Sequence, residues 1–274
     1  MEIEPMQLTV FTPAYNRAYT LTRLFDSIKM QTASVSFEWI VVDDGSTDET
    51  SDLVASWIDD PEVGFEIRYF SQENGGKHVA WNKGLSEARG DLFLPIDSDD
   101  YFVADAFDQV LWMWSECDAN AKLIGFSGVR RFPGNKDTGG VLNNLGDGYI
   151  DYSSVSRRSQ GISGDLAEVF FTSELRKYPF PVISHEKFVA EAVIFNRFSN
   201  DGYLIRGFNR PLYCSEYLED GYTKNVDRLL IRNWDGYCLY VKELVHMNAS
   251  FRAKIIPVLG WFYRSLLKAL GIVK

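Results

Sequence analysis

With 274 residues, 46% of them hydrophobic and 24% charged, the chain can bury a core of domain size and is too balanced in composition to be disordered. Asp and Glu outnumber Lys and Arg by 38 to 28, a net charge of −10, which excludes a broad electrostatic grip on nucleic acid. Cys117, Cys214 and Cys238 are too few and too scattered for a disulfide framework or a paired-cysteine zinc site, and MEIEPMQ lacks the basic start and apolar run of a secretory signal, so a reducing, cytoplasmic setting is expected.

The first hundred residues alternate strands and helices. Leu8 to Thr12 is β-rich, Tyr19 to Met30 carries Leu21, Leu24, Phe25 and Ile28 at helical spacing, and Phe37 to Val42 is again a strand. Helix Asp48 to Ile58, strand Glu66 to Phe70, helix His78 to Ala88 and strand Asp91 to Ile96 continue the pattern. It predicts an α/β fold, a Rossmann-like and mostly parallel sheet with helices on both faces. A helix from Val103 to Cys117, a strand from Leu123 to Val129 and a glycine-rich loop or lid from Pro133 to Gly148 follow. Beyond them come helical character from Gly164 to Phe198, a strand from Tyr203 to Tyr213 and a mixed aromatic stretch from Val226 to Val245.

Residues 251–274 hold five bases and no acid, which leaves −15 on residues 1–250. There Leu259, Phe262, Leu266 and Leu270 recur at helical spacing, with Arg264 and Lys268 together on another side. The pattern predicts peripheral contact of residues 252–274 with an anionic membrane surface at the inner face of the cytoplasmic membrane; a helix packed on the protein's own core is the alternative. No run of about 20 apolar residues is available to span a bilayer.

Open parallel sheets bind ligands beyond the carboxyl ends of their strands. Those ends read Thr12-Pro13-Ala14-Tyr15-Asn16-Arg17, Asp43-Asp44-Gly45-Ser46-Thr47-Asp48, Glu73-Asn74-Gly75-Gly76-Lys77 and Asp97-Ser98-Asp99-Asp100. The glycine fingerprint of dinucleotide sites, the phosphate loop of NTPases, the GxSxG elbow and the HExxH zinc motif are all missing. What the strand ends offer is acid. Carboxylates around Asp99 are hard oxygen ligands suited to Mg²⁺ or Mn²⁺, which would let an acidic site hold phosphate; alternatively Asp99 or Asp100 caps the helix near Val103. Asp43 and Asp44 can accept hydrogen bonds from a base N–H or ribose hydroxyls, while Ser46 or Thr47 caps the next helix with Asp48 and Glu49 in its first turn. Lys77 is a cation for a phosphate, or a solvated surface lysine.

Taken as a set over residues 7–102, TPAYNR, VDDGSTDET, NGGKHVAWNKGL and LPIDSDD resemble, in order and spacing, the family 2 glycosyltransferases, inverting enzymes of the GT-A fold. The resemblance implies a nucleotide-diphosphate sugar donor, UDP-sugar favoured, surrounded by Thr12, Pro13, Ala14, Tyr15, Arg17, Asp43, Asp44, Asn74, Gly76, Lys77, Asn82, Asp97 and Ser98. It implies Mn²⁺ or Mg²⁺ as cofactor, held by Asp99 with Asp97 and Asp100. Trp81 departs from the family pattern, which has an arginine before the asparagine of the third motif, and leaves more of the positive charge to Lys77.

Inverting transfer needs a base for the proton of the acceptor hydroxyl. The family supplies it from the Asp of a Glu-Asp pair opening a helix, with an arginine about six residues on. Ala190-Glu191 and Arg197 fit that pattern if Glu191 stands for the Asp, which makes Glu191 the base and Glu186 and Asp220 its rivals. The bland alternative for Glu191 is a helix-surface ion pair with Lys187. From Gly164-Asp165 to the Tyr217–Thr223 segment the chain is similar to bacterial capsule and surface-polysaccharide glycosyltransferases. That similarity implies a glycan or lipid-linked acceptor, with Asp165 and Glu168 as acceptor contacts or helix-start residues. The expected division is 1–130 for the nucleotide-sugar half, 131–225 for the acceptor and base region continuous with it, and 226–274 for a helical extension. Two other functions compete: a catalytically inactive nucleotide-sugar-binding or scaffold protein, and a Mg²⁺-dependent phosphohydrolase, whose nucleophile would have to stand where Thr12-Pro13 do.

Overall fold

The structure, a computed structural model, describes residues 6–118, 121–132, 140–142, 145, 148–215, 226–247 and 251–270. Strands β1 (Leu8–Ala14), β2 (Phe37–Asp43), β3 (Glu66–Ser71) and β4 (Leu92–Pro95) run parallel in the order β3-β2-β1-β4, joined by helices α1 (Ala18–Lys29), α2 (Thr50–Ile58) and α3 (Lys77–Glu87). Then come β5 (Tyr101–Phe102), α4 (Ala106–Ser115), β6 (Leu123–Arg131), β7 (Gly140–Val141), β8 (Tyr149–Tyr152), β9 (Ser163–Gly164), β10 (Leu166–Phe171), α5 (Thr172–Leu175), α6 (Ala192–Asn200) and β11 (Leu204–Cys214). Helices α7 (Val226–Arg232), α8 (Trp234–His246) and α9 (Phe251–Ala269) complete the described chain. β10 lies antiparallel between β4 and β6; β11 runs parallel to β6, and β5 and β8 pair antiparallel with β11. β7 and β9 form a separate two-stranded ladder.

The period-two pattern of the strands sorts the core onto the two faces of the sheet. Leu8 and Val10 of β1, Trp39 and Val41 of β2 and Leu92 and Leu94 of β4 pack with Leu21, Leu24 and Phe107 on the face covered by α1, α2 and α4. Phe11, Ile40, Val42 and Phe93 point the other way, onto Trp81 of α3 and Val193 and Phe198 of α6. α1 presents Leu21, Leu24, Phe25 and Ile28 as its buried stripe.

Several expectations change. The segment Gly164–Phe198 is not helical throughout: it contains β10, the short α5 and an irregular run before α6. Leu166-Ala167-Glu168-Val169-Phe170-Phe171 has strand partners on both sides, and a doubly buried strand shows no alternation for a sequence reading to catch. Asp165 and Glu168 therefore start no helix. The helix expected at Val103 begins at Ala106, after β5, and neither Asp99 nor Asp100 caps it. Of the loop expected over Pro133–Gly148, only residues 140–142, 145 and 148 are among those described.

The tail is a helix with an unexpected orientation. Among its bases, Arg264 pairs with Asp227 of α7 and donates to Tyr237 Oη of α8 at 3.1 Å, Lys254 Nζ reaches the Val245 carbonyl at 2.8 Å, and Lys268 lies over the Trp234 ring. These three cations thus face the protein, and Leu259, Phe262, Leu266 and Leu270 face outward. No helix among the described residues is long and apolar enough to cross a membrane.

At the amino end of β2, Glu38 has no exposed surface. It accepts from Thr9 Oγ1 and the Arg89 amide at 2.7 Å each, from Arg89 Nε at 2.8 Å and from Arg68 Nη1 at 3.0 Å. Burial alone would raise its pKa; the four donors outweigh it and hold the carboxyl below its ordinary 4.5. Stability from a depressed carboxylate is present above the unfolded value and is lost as pH falls through the folded one. Glu38→Gln is expected to cost about 1.5–3 kcal/mol at pH 7 and to flatten the acid limb of the stability curve below about pH 4.5. Urea unfolding of both proteins at neutral and acid pH reads the two effects.

Candidate active site

β1 has β2 on one side and β4 on the other, so the sheet's winding reverses between β1 and β4, and their carboxyl ends flank a crevice of the kind that binds ligands. The loops around it are stitched together by side chains. Asn16, in the left-handed region at φ 53°, donates its amide to Ser46 Oγ at 2.8 Å and accepts from the Thr47 amide at 2.7 Å through Oδ1. Asp48 accepts from the Ala18 amide at 3.2 Å and from Thr50 Oγ1 at 2.5 Å. Ser46 and Thr47 are drawn to Asn16 and do not cap α2; the helix starts later, at Thr50, with Glu49 before it, and Asp48 accepts from the Thr50 amide at 3.1 Å.

Asp43 and Asp44 are both buried and engaged within the protein. Asp43 accepts from the Ser46 amide at 2.8 Å and Tyr69 Oη at 2.6 Å. Asp44 accepts from Gln72 Nε2 and the Gly76 amide at 2.7 Å each and from the Gly75 amide at 2.8 Å. Gly76 has φ 96°, and a Cβ there would sit 2.0 Å from the Lys187 carbonyl oxygen. Glycine is required on both counts. This close approach brings the stretch leading to Glu191 against the start of α3.

Lys77, the first residue of α3, reaches across the crevice. Its ammonium is 2.7 Å from Asp97 Oδ1 and 2.9 Å from Glu191 Oε1. Burial opposes the charge, but the two acids outweigh burial and hold its pKa well above the usual lysine value. Glu191, at the amino end of α6, pairs with Lys77 and not with Lys187. Asp97 is about half exposed, Asp99 partly exposed, and Asp100 is turned inward and buried, which removes it from the front rank of metal ligands. Burial, and then Asp97, raise the pKa of Asp99; burial, Asp97 and Asp99 push Asp100 up to about 8. Among the described residues no three His, Cys, Asp or Glu side chains form a ready metal cage. One or two carboxylates sharing a cation with ligand phosphates is nonetheless the usual arrangement for Mg²⁺, and an acidic cluster whose members raise one another's pKa fits that demand.

Tyr15 is 48% exposed at the edge, where its ring is open to a planar base; Pro13 and Arg17 beside it in sequence are partly exposed, as is Asn74 after β3. Arg17 contributes positive field at Asp97 and Asp99. Ala14 and Ser98 are buried. Two expected donor residues have structural partners. Thr12 is fully buried and accepts from Trp39 Nε1 at 3.0 Å, and Asn82 makes a reciprocal pair with the Phe180 backbone at 2.8 and 2.9 Å. Trp81, the departure from the family pattern, is a core residue edge-on to Phe11 and Phe180. Glu186 is also spoken for, since it accepts from the Asp235 and Gly236 amides at 2.6 and 2.7 Å and so anchors the start of α8. Asp220 lies outside the described residues. Arg197 forms a two-nitrogen pair with Glu243 of α8.

Two cations escaped the sequence reading. Arg130, at the end of β6, pairs with Asp165 at 2.6 Å and adds positive field at Asp97 and Asp100. Arg23 donates to the Asp99 carbonyl at 2.6 Å from α1. The strand-end rule would have found Arg130 had it been extended past the first four strands. Glu168 of β10 belongs to the same edge: burial pushes it up to about 7, with Arg157 and Arg130 opposing and Glu191 adding to the rise.

The family model for glycosyl transferase family 2 matches residues 9–141. Over 152 residues, 55% of the chain, there is 36% identity to glycosyltransferase GlyA of Streptococcus pneumoniae, 21% of which is covered. Over 125 residues, 45% of the chain, there is 30% identity to the poly(ribitol-phosphate) beta-N-acetylglucosaminyltransferase TarS of Staphylococcus aureus, 22% of which is covered. The chain thus matches about a fifth of the length of these two relatives. Among solved structures, TarS in complex with UDP-GlcNAc superposes with a TM-score of 0.65 at 20% identity, over 94% of this chain and 72% of that one. The mannosyltransferase PcManGT of Pyrobaculum calidifontis, in complex with GDP-Man and Mn²⁺, gives 0.61 at 20% identity over 97% and 72%. These likenesses show the GT-A fold.

Gly76→Ala is expected to destabilise the protein by about 1–3 kcal/mol, since it forces a side chain into a glycine-only conformation and against the 187 backbone. Gly64→Ala is the control, because a Cβ at Gly64 meets nothing within 4 Å. Thermal denaturation of both variants decides it: equal melting temperatures would mean that the contact between Gly76 and Lys187 is not tight.

Proposed function

Because the chain belongs to glycosyl transferase family 2 through residues 9–141, we propose that it transfers a sugar, with inversion, from a nucleotide-diphosphate sugar to an acceptor hydroxyl. The observation that supports this most is the convergence at one sheet edge of Asp97, Asp99, Lys77 and Glu191, with one ammonium joining the acidic strand end to the proposed base. A UDP-sugar is the favoured donor; UDP-GlcNAc and GDP-Man are what the two solved neighbours hold. The acceptor in this reading is a surface-polysaccharide or lipid-linked glycan; the relative TarS is named for a polymeric acceptor of another kind, poly(ribitol-phosphate). In this reading residues 1–130 act as the donor half, residues 131–225 bring the base and acceptor contacts, and residues 226–274 are an extension that contacts an anionic membrane surface peripherally.

In the mechanism we infer, Tyr15 stacks on the base, the remaining lone pairs of Asp43 and Asp44 receive donors of the nucleoside, and Lys77 and Arg17 face the diphosphate. Asp99 with Asp97 would hold Mn²⁺ or Mg²⁺, which when bound neutralises charge on the diphosphate and so improves it as a leaving group. Glu191 takes the proton of the acceptor hydroxyl. The hydroxyl oxygen bonds to the anomeric carbon as the bond to the diphosphate oxygen breaks, and the electron pair leaves with the nucleoside diphosphate.

Thermal stabilisation by UDP-, GDP- and dTDP-sugars, each with Mn²⁺ and with EDTA, tests the donor assignment. A shift with one nucleotide class that EDTA and Asp99→Ala both abolish is expected. Glu191→Gln should retain donor binding and lose about 10²- to 10⁴-fold in transfer rate. Normal transfer by Glu191→Gln, with loss in Asp220→Asn, would move the base to Asp220.

A further inference from the structure

Lys77 stands at the amino end of α3, where the helix dipole is positive and a lysine is locally unfavourable. Its position is explained by what it holds. Asp97 follows β4 on the donor side of the crevice, and Glu191 precedes α6 on the acceptor side; they come from separate parts of the chain and both contact this ammonium. Both carboxylates are about half exposed, at 46% and 48% of their side-chain surface, so both contacts are open to exchange with a ligand. A diphosphate offers Lys77 more negative charge and more acceptor oxygens than one carboxylate does.

We infer that Lys77 is a positioning residue that couples the two half-sites: in the free protein it occupies Glu191, and a nucleoside diphosphate entering beside Asp97 draws the ammonium to itself and releases the Glu191 carboxylate for the acceptor. The inference rests on the donor reading above and adds an order to it. Glu191 competes with the donor for one cation, so its hydrogen-bonding capacity becomes available when the donor is in place. An empty site keeps the base covered, which disfavours unproductive contact with acceptor alone.

Competition of this kind has a thermodynamic signature that needs no turnover. UDP and GDP are titrated calorimetrically, with Mn²⁺ present, into the full chain and into Lys77→Gln, Glu191→Gln and the double variant. Glu191→Gln should tighten the better nucleotide about two- to tenfold, Lys77→Gln should weaken it, and in the Lys77→Gln background the gain from Glu191→Gln should vanish. Lys77→Arg, which keeps the charge, should restore the gain. An equal gain with and without Lys77 would mean that Glu191 acts only as a nearby negative charge, and no gain at all would mean no competition; either outcome overturns the inference alone. Failure of the wild-type chain to bind UDP or GDP overturns the donor reading and the inference with it.

Discussion

The site depends on one buried carboxylate. Asp44 collects the Gln72 side chain and the amides of Gly75 and Gly76, and by doing so turns the chain after β3 back into the amino end of α3. Backbone amides at a helix start have no partner within the helix, so a fixed anion beneath them settles both their hydrogen bonding and the direction of the helix. That direction delivers Lys77 to the crevice. The glycine conformation it requires at residue 76 leaves room for the Lys187 carbonyl, which sets how closely the later part of the chain can approach. Donor-side and acceptor-side residues are thus registered against each other through a few backbone atoms.

Charge at the edge follows from what the core has taken. Trp81 fills the space among Phe11, Phe93, Phe170 and Phe180, and its indole nitrogen is buried without a hydrogen-bond partner. A side chain committed to packing in this way cannot also supply a cation at the third strand end. The positive field over Asp97, Asp99 and Asp100 comes instead from Lys77, Arg17 and Arg130, on three different elements. These cations meet a larger group of acids, Asp97, Asp99, Asp100, Glu168 and Glu191, an excess that suits an anionic ligand accompanied by a metal.

Much of this was legible beforehand, and the misses have physical causes. Strands β1 to β4 could be read as short β-branched, aromatic or aliphatic runs set off by helices with apolar residues at helical spacing. β10 could not, since its short run, broken by Glu168, lies in a stretch that reads as helical and finds its partners in strands distant in sequence. The acids at the strand ends were found as acids, but not their employment: Asp44 is satisfied by residues 28 to 32 positions on, and Glu186 by amides 49 and 50 positions on. The same holds for Asn82, whose partner Phe180 is 98 residues away. Local pattern reveals which groups need partners; only the folded chain decides which partners they get.

The antiparallel insertion of β10 has a kinetic consequence. Residues 9–141 contain β1 to β4 and β6, but β4 and β6 do not touch through their own backbones; Phe170 joins them by pairing with Phe93 on one side and Gly125 on the other. As the chain is synthesised, the first four strands emerge with the open edge of β4 exposed, and that edge stays unsatisfied until residue 171 has cleared the ribosome. Unpaired central edges recruit strands from other molecules. Closing the sheet also means bringing together segments far apart in sequence, a slow step whose entropic cost precedes its reward. The stretch matched by the family model therefore lacks the strand that joins its own β4 to β6, and during synthesis that central position stays open until β10 arrives.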